Sequence, residues 1–176
     1  MAARDRGFTL IELLIVVAII SIIAAIAVPG LMRARMTGNE ASAITSLTTT
    51  RAAQVMYSAS CGAGGFAASY QILGTAPGGN PNGEAFISKD LGHAAPIQKA
   101  GYNFNMSASA GAQPGPNDCN GTATISAWYA TAVPMTIGTT GQRGFAINTS
   151  NTIWQDTTGQ APTEPFTPSA TVTVAQ

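Results

Sequence analysis

The hydrophobic positions of this chain gather at one end. From Leu13 to Met32 runs LLIVVAIISIIAAIAVPGLM, 20 residues without a charge, in which Ser21 is the one side chain with a hydroxyl. At 1.5 Å per residue a helix of that length measures about 30 Å, the thickness of a bilayer's hydrocarbon core. No other stretch compares with it, so one membrane span is the maximum. Pro29 cannot donate to the helical ladder, which predicts a kink or a loosened turn there, Gly30 adding flexibility. An ordinary helix stop at the membrane exit is the simpler alternative.

The helical pattern continues past this point. Residues 31–60 contain no further proline and Gly38 as the weak point. Ala41, Ile44, Ala52, Val55 and Ala59 recur on one helical face. Arg51 lies close to that face and would need a partner or a route to solvent. Thr48-Thr49-Thr50 lowers local propensity, because β-branched side chains lose χ1 freedom. The expectation is one long helix, roughly Phe8 to Ser58, with a break or bend at Pro29 and a second candidate at Gly38. Cys61-Gly62-Ala63-Gly64-Gly65 ends it; this stretch lacks the Lys-[Ser/Thr] of a phosphate-binding loop.

The remainder reads differently. Residues 66–100 predict an irregular connector, with a short helix near Ala67–Leu73 and turns through Pro77–Gly83. Tyr102, Phe104 and Met106 alternate with Asn103 and Asn105, the period of a half-buried strand. In 122–132, Ile125, Ala127 and Tyr129 share one face, opposite Ser126, Trp128 and Ala130. Phe145 and Ile147 alternate after Arg143, and Ile153 follows the turn Asn148–Asn151. This predicts an antiparallel meander of three or four strands laid over the second half of the helix, an α+β architecture. The Pro/Thr-rich end, from Ala161, predicts a loose tail in which Thr171–Ala175 could form an edge strand.

Composition adds exclusions. Eight basic side chains balance eight acidic ones, and charged residues make up 9% of the 176. The balance argues against a disordered charged tail and against a nucleic-acid binder that works by neutralising phosphates. It also conceals a division: residues 1–7 carry +1, residues 8–60 carry +1, and residues 61–176 carry −2. His93 sits in a Gly/Ala context that suits a solvent-facing loop. No zinc-protease, CxxC, nucleophile-elbow or Walker pattern is present. The five acids of residues 61–176 (Glu84, Asp90, Asp118, Asp156 and Glu164) are scattered, and no catalytic set emerges.

Glu12 stands directly against the apolar block. A carboxylate costs about 2.5–3.5 kcal/mol near the centre of a membrane helix and less toward the interface, so it calls for a cationic partner. A secretory signal peptide would use Arg4 and Arg6, the Leu13–Ile23 core and an Ala25-Ile26-Ala27 cleavage site, but leaves Glu12 without a role. A plain membrane anchor leaves it equally unexplained. Arg4 and Arg6 on one side face Arg33 and Arg35 on the other, so charge asymmetry does not orient the span.

Gly7-Phe8-Thr9-Leu10-Ile11-Glu12, after a short basic leader and before an apolar run, closely resembles the processing site of type IV prepilins and of type II secretion pseudopilins. The resemblance covers residues 1 to about 32 and only loosely the rest. It implies cleavage between Gly7 and Phe8 by a membrane prepilin peptidase, which also N-methylates Phe8. It implies that Glu12 neutralises the Phe8 ammonium, foremost that of a neighbouring subunit during assembly. The chain would then divide into a leader (1–7), a transmembrane and assembly half-helix (8–32), an amphipathic half-helix (33–60) and a β-sheet head with a loose tail (61–176). The implied fold is pilin-like, the long helix packed on a small antiparallel sheet. The 141–148 run with Trp154 is similar, weakly, to the hairpin that ends many such heads.

The same resemblance implies a structural protein rather than an enzyme. Its partners would be the peptidase/methyltransferase, identical or related subunits in a helical filament, an inner-membrane assembly platform and, before assembly, lipid. It would lie in the inner membrane with its head exported, then in a surface pilus or a periplasmic pseudopilus. A type II secretion pseudopilin and, more distantly, a secreted binding module remain alternatives. Cys61 and Cys119 form an even pair in an exported head, which favours a disulfide over two free thiols, although family disulfides usually lie nearer the C-terminus. No cofactor is expected. Asp156, with Gln155, Thr157 and Thr158, is thin support for the calcium that major pseudopilins often hold in a C-terminal loop.

Overall fold

The computed structural model describes residues 8–80 and 83–175, which leaves Gly7 and the rest of the leader outside. The chain divides into two compact units, Met1–Arg35 and Met36–Gln176. Helix α1 (Leu10–Ser60) is 51 residues long and includes Pro29 and Gly38, so the chain stays helical at the two positions where the sequence allowed a break or a bend. In the first unit every described residue, from Phe8 to Arg35, is exposed. Ser21, the hydroxyl within the apolar run, donates to the Val17 carbonyl at 2.7 Å and so satisfies itself within the helix. Among the described residues, α1 is the one helix long and apolar enough to cross a membrane.

Among its described residues the second unit holds the rest of α1, a short helix α2 (Tyr70–Leu73), a 3-10 turn at Pro77–Gly79 and eight strands. These are β1 (Ile97–Lys99), β2 (Tyr102–Ala108), β3 (Pro114–Asn117), β4 (Ala123–Ile125), β5 (Trp128–Pro134), β6 (Gly144–Asn148), β7 (Ile153–Asp156) and β8 (Val172–Val174). Six of them form an antiparallel sheet in the order β1-β2-β5-β6-β7-β8, and β3 pairs with β4 in a small excursion between β2 and β5. The sheet is therefore wider than the three or four strands expected. The 122–132 segment, read as one alternating run, is two strands: Ser126 N donates to Gln113 O, while Ala127 O accepts from Ser109 N, so the backbone changes partners there. The β1–β2 turn needs Gly101, at φ 73°, because a side chain there would meet Thr140 and Asn39.

Trp128, Tyr57, Tyr70, Tyr102, Phe145 and Leu47 are among the largest fully buried side chains of the core. The helix contributes Glu40, Ala43, Ser46, Leu47, Thr50, Ala53, Gln54 and Tyr57 to it. This is not the face that the apolar pattern marked. Ala41, Ala52, Val55 and Ala59 are exposed and Ile44 is half-buried. The reason is hydrogen bonding. Gln54 donates from Nε2 to Ala67 O at 2.8 Å and accepts from Ala67 N at 2.9 Å, as a neighbouring strand would. Thr50 donates to Ser46 O and bonds Tyr70 Oη at 3.1 Å. Buried polar groups that find partners cost little, so the polar face can be the inner one. Arg51, expected near the buried face, is exposed and reaches Asn151 O at 3.3 Å.

The C-terminal segment is held rather than loose. Glu164 accepts from Ser109 Oγ at 2.7 Å, from Ala110 N at 3.1 Å and from Asn148 Nδ2 at 2.6 Å. Phe166 stacks on Trp154 at 5.6 Å between centroids and lies 6.1 Å from Tyr129. The Tyr129 hydroxyl donates to Pro162 O, and burial followed by the Glu164 charge pushes its pKa up to about 12. Strand β8 then pairs with β7.

Candidate processing and assembly site

Thr9 and Glu12 form the start of α1. The Glu12 carboxylate (Oε2) accepts from the Thr9 backbone N–H at 2.9 Å and from the Thr9 hydroxyl at 2.6 Å. The Thr9 oxygen in turn faces the Glu12 backbone N–H at 3.3 Å. This is a reciprocal helix cap of the Thr-x-x-Glu type, which satisfies donors that the first helical turn otherwise leaves open. The carboxylate also sits at the positive end of the helix dipole. The pattern was present in the sequence as Thr9-Leu10-Ile11-Glu12, yet Thr9 was not among the expected site residues. Glu12 therefore has an intramolecular role beside any that a second chain would supply.

Phe8 is 73% exposed and directly precedes the cap, and Gly7 lies outside the described residues. Pro29 lies inside α1, 17 residues beyond Glu12. Between them Ile15, Val17, Ile19, Ile22, Ile23 and Ile26 each expose half or more of their surface. An exposed apolar stretch of this length is the kind of surface that lipid or another chain covers.

Cys61 and Cys119 are joined in a disulfide with Cα atoms 4.8 Å apart, fixing the end of α1 to the loop before β4. The same junction holds Tyr57, whose hydroxyl donates to Asp118 Oδ2 at 2.8 Å, while Asp118 Oδ1 accepts from the Asn120 and Thr122 N–H groups. Burial and the adjacent carboxylate push the Tyr57 pKa well above its ordinary value.

A second tie joins α1 to the sheet. Glu40 accepts from Gln142 N at 2.8 Å, Arg143 N at 3.2 Å, Arg143 Nε at 2.9 Å and Arg143 Nη2 at 2.7 Å. Arg143 also lies over the Phe145 ring at 5.5 Å and bonds Gln155. Burial raises the Glu40 pKa, but the bonds from Gln142 and Arg143 outweigh it and hold the carboxyl below its usual range. Neither Glu40 nor its link to Arg143 had a local sequence signal, because 103 residues separate them.

Asp156 Oδ1 accepts from Thr158 N at 2.9 Å within a turn, and His93 is exposed beside the Ala94 carbonyl. Among the described residues no group of three or more His, Cys, Asp or Glu side chains is placed to share a metal ion.

The sequence model described as the prokaryotic N-terminal methylation motif matches residues 2–28. The N-terminal segment is thus similar to that of type IV prepilins. A type IV major pilin protein of Myxococcus xanthus is 54% identical over 44 residues, 25% of this chain and 20% of that protein. A type IV wide pilus major component of Thermus thermophilus is 60% identical over 35 residues, 20% of this chain and 27% of that protein. The chain thus spans about a fifth to a quarter of the length of these curated relatives. No solved structure matches it at a significant level. The prepilin-type segment contains Gly7, Phe8, Thr9 and Glu12, whereas Pro29, the disulfide and the Glu40–Arg143 tie lie beyond the matched motif.

Proposed function

We propose that this chain is a structural subunit of a type IV pilus or pilus-like filament. Prepilin peptidase cuts after Gly7 and methylates Phe8, and the processed subunit waits in the inner membrane on its apolar helix. It then polymerises through that helix with identical or related subunits at a membrane assembly platform. The observation that carries this reading is one carboxylate, Glu12, near the start of an apolar helix that its own chain leaves bare. Its cap with Thr9 uses mainly Oε2. The carboxylate thus has acceptor capacity left for the Phe8 ammonium of a neighbouring subunit.

The surface pilus is favoured over a secretion pseudopilus because both relatives are described as pilus components. The subunit acts by assembly rather than by catalysis, with no cofactor of its own. Electron microscopy of filaments from a strain expressing Glu12→Val tests the reading. Cleavage should continue while filaments disappear, and normal filaments would show that the charge pair is not needed.

A further inference from the structure

The second unit exposes few large apolar side chains, and most of them come in pairs. Among its described residues, Val55 and Met56 on α1 are 57% and 53% exposed, Met135 and Ile137 after β5 are 46% and 50% exposed, and Val174 stands by itself on β8. The two pairs lie at opposite ends of this unit. Met135 N donates to Gly101 O at 2.9 Å, and Asn39 Nδ2 donates to Thr140 O at 2.9 Å. Ile137 lies against Gly159, whose N–H donates to Asp156 O at 3.3 Å. These contacts set Met135, Ile137 and Asp156 at the level of Asn39. Val55 is 16 residues farther along α1, about 24 Å along the helix axis. Strand β6 runs the same way: Gln142 and Arg143 before it are tied to Glu40, and Asn151 after it accepts from Arg51 Nη1 at 3.3 Å. Each pair has one charged neighbour, Arg51 beside Val55 and Asp156 near Ile137, and the signs are opposite. Among the described residues neither forms an ion pair: Arg51 bonds a backbone carbonyl, and Asp156 accepts from Thr158 N.

We propose that the heads of two copies meet head to tail, the Val55–Met56 surface of one receiving the Met135–Ile137 turn of the next, with Arg51 of the first paired to Asp156 of the second. The proposal rests on the filament reading above and names the head surfaces that such a filament brings together. Arg51, Ala52, Val55, Met56 and Asn151 line an open groove, and the turn carries the apolar side chains to fill it. Oppositely charged groups at the two ends fix which surface meets which and disfavour a patch meeting itself. A contact between two different patches of one unit is heterologous, so it repeats without closing into a dimer, as a helical filament requires. A second copy is favoured over any other occupant because both halves of the contact, apolar and charged, are present on this one chain. Two apolar side chains and one charge on each face make a small interface. It therefore sets the register of chains that the apolar helices hold together.

The test uses filaments of the full chain, with the Cys61–Cys119 disulfide intact, assembled in cells that carry a prepilin peptidase and an assembly platform. Met56→Cys and Ile137→Cys are introduced singly and together, and the filaments are oxidised with copper phenanthroline. The double variant should give a ladder of crosslinked multimers on non-reducing gels, because its two thiols lie at opposite ends of one chain. Each single variant should stay monomeric. Arg51→Glu and Asp156→Lys should each lower filament yield severalfold, and the chain carrying both should recover it, which a merely structural role for either side chain would not produce. The ladder decides the contact even where a charge-reversed chain fails to fold. Filaments of the double-cysteine chain without a ladder would overturn the proposal; this is the outcome if the groove serves lipid or another protein. Dimers from Met56→Cys by itself would overturn it too, since they require the same patch to meet itself. A chain without cysteine substitutions that forms no filaments at all would overturn the filament reading as well.

Discussion

Thr9 and Glu12 cap the same helix from both directions, the carboxylate on the Thr9 N–H at 2.9 Å and the Thr9 oxygen facing the Glu12 N–H at 3.3 Å. Two roles for Glu12 can therefore be separated by substitution. Glu12→Gln keeps the cap geometry and removes the charge, whereas Thr9→Ala removes the hydroxyl half of the cap and keeps the charge. Losing such a cap costs about 1 kcal/mol, enough to fray a helix start but not to unfold it. Filament yield by electron microscopy should fall sharply for Glu12→Gln and only modestly for Thr9→Ala. The reverse order would make the cap, rather than the charge, the determinant.

The Glu40–Arg143 tie should make the head sensitive to acid. The folded-state pKa of Glu40 lies below the ordinary value of 4.5. Its contribution is therefore present above that value and is lost as pH falls through the folded pKa. Glu40→Gln should destabilise the head by about 2 kcal/mol at neutral pH, in line with charged hydrogen bonds. Denaturant melts of both proteins, read by the fluorescence of buried Trp128, should converge as pH drops below 4.5.

The disulfide closes a loop with a sequence separation of 58 residues. The chain-entropy estimate for a loop of this length is about 4 kcal/mol, which reduction would remove. The Tyr57–Asp118 bond sits at the same junction, so a Cys61→Ser, Cys119→Ser protein should melt at lower temperature and lose amide protection at the end of α1. Hydrogen exchange of residues 54–60 checks this.

The tail has a spectroscopic handle. Phe166→Ala removes the ring that stacks on Trp154 and should cost about 1–2 kcal/mol, below the value for a fully buried ring. Trp154 emission should shift to the red as the tail lifts. Glu164→Gln should weaken the same attachment through its bonds to Ser109 and Asn148.

How far the sequence foretold this arrangement depended on the range of the interactions. The apolar half of α1 was legible because 20 consecutive uncharged residues define their environment without any partner. Strand β2 was legible because Tyr102, Phe104 and Met106 alternate into one core. The inner face of α1 was not, because Glu40, Thr50 and Gln54 are polar by type and become core residues only through Arg143, Tyr70 and Ala67. The tail was misread for a related reason. Its Pro/Thr-rich composition says loop, while Glu164 and Phe166 find partners on strands laid down earlier in the chain. At the candidate site, Phe8 and Glu12 were evident from the motif, and the Thr9 cap was overlooked although its spacing was visible.

The most direct test of the central claim is the mature N-terminus itself. The subunit is expressed with a prepilin peptidase, purified from membranes, and its N-terminal peptide analysed by mass spectrometry. The account predicts a chain that begins at Phe8 with a methyl group on its amine. A chain that begins at Val28, after signal-peptidase cleavage at Ala25-Ile26-Ala27, would contradict it.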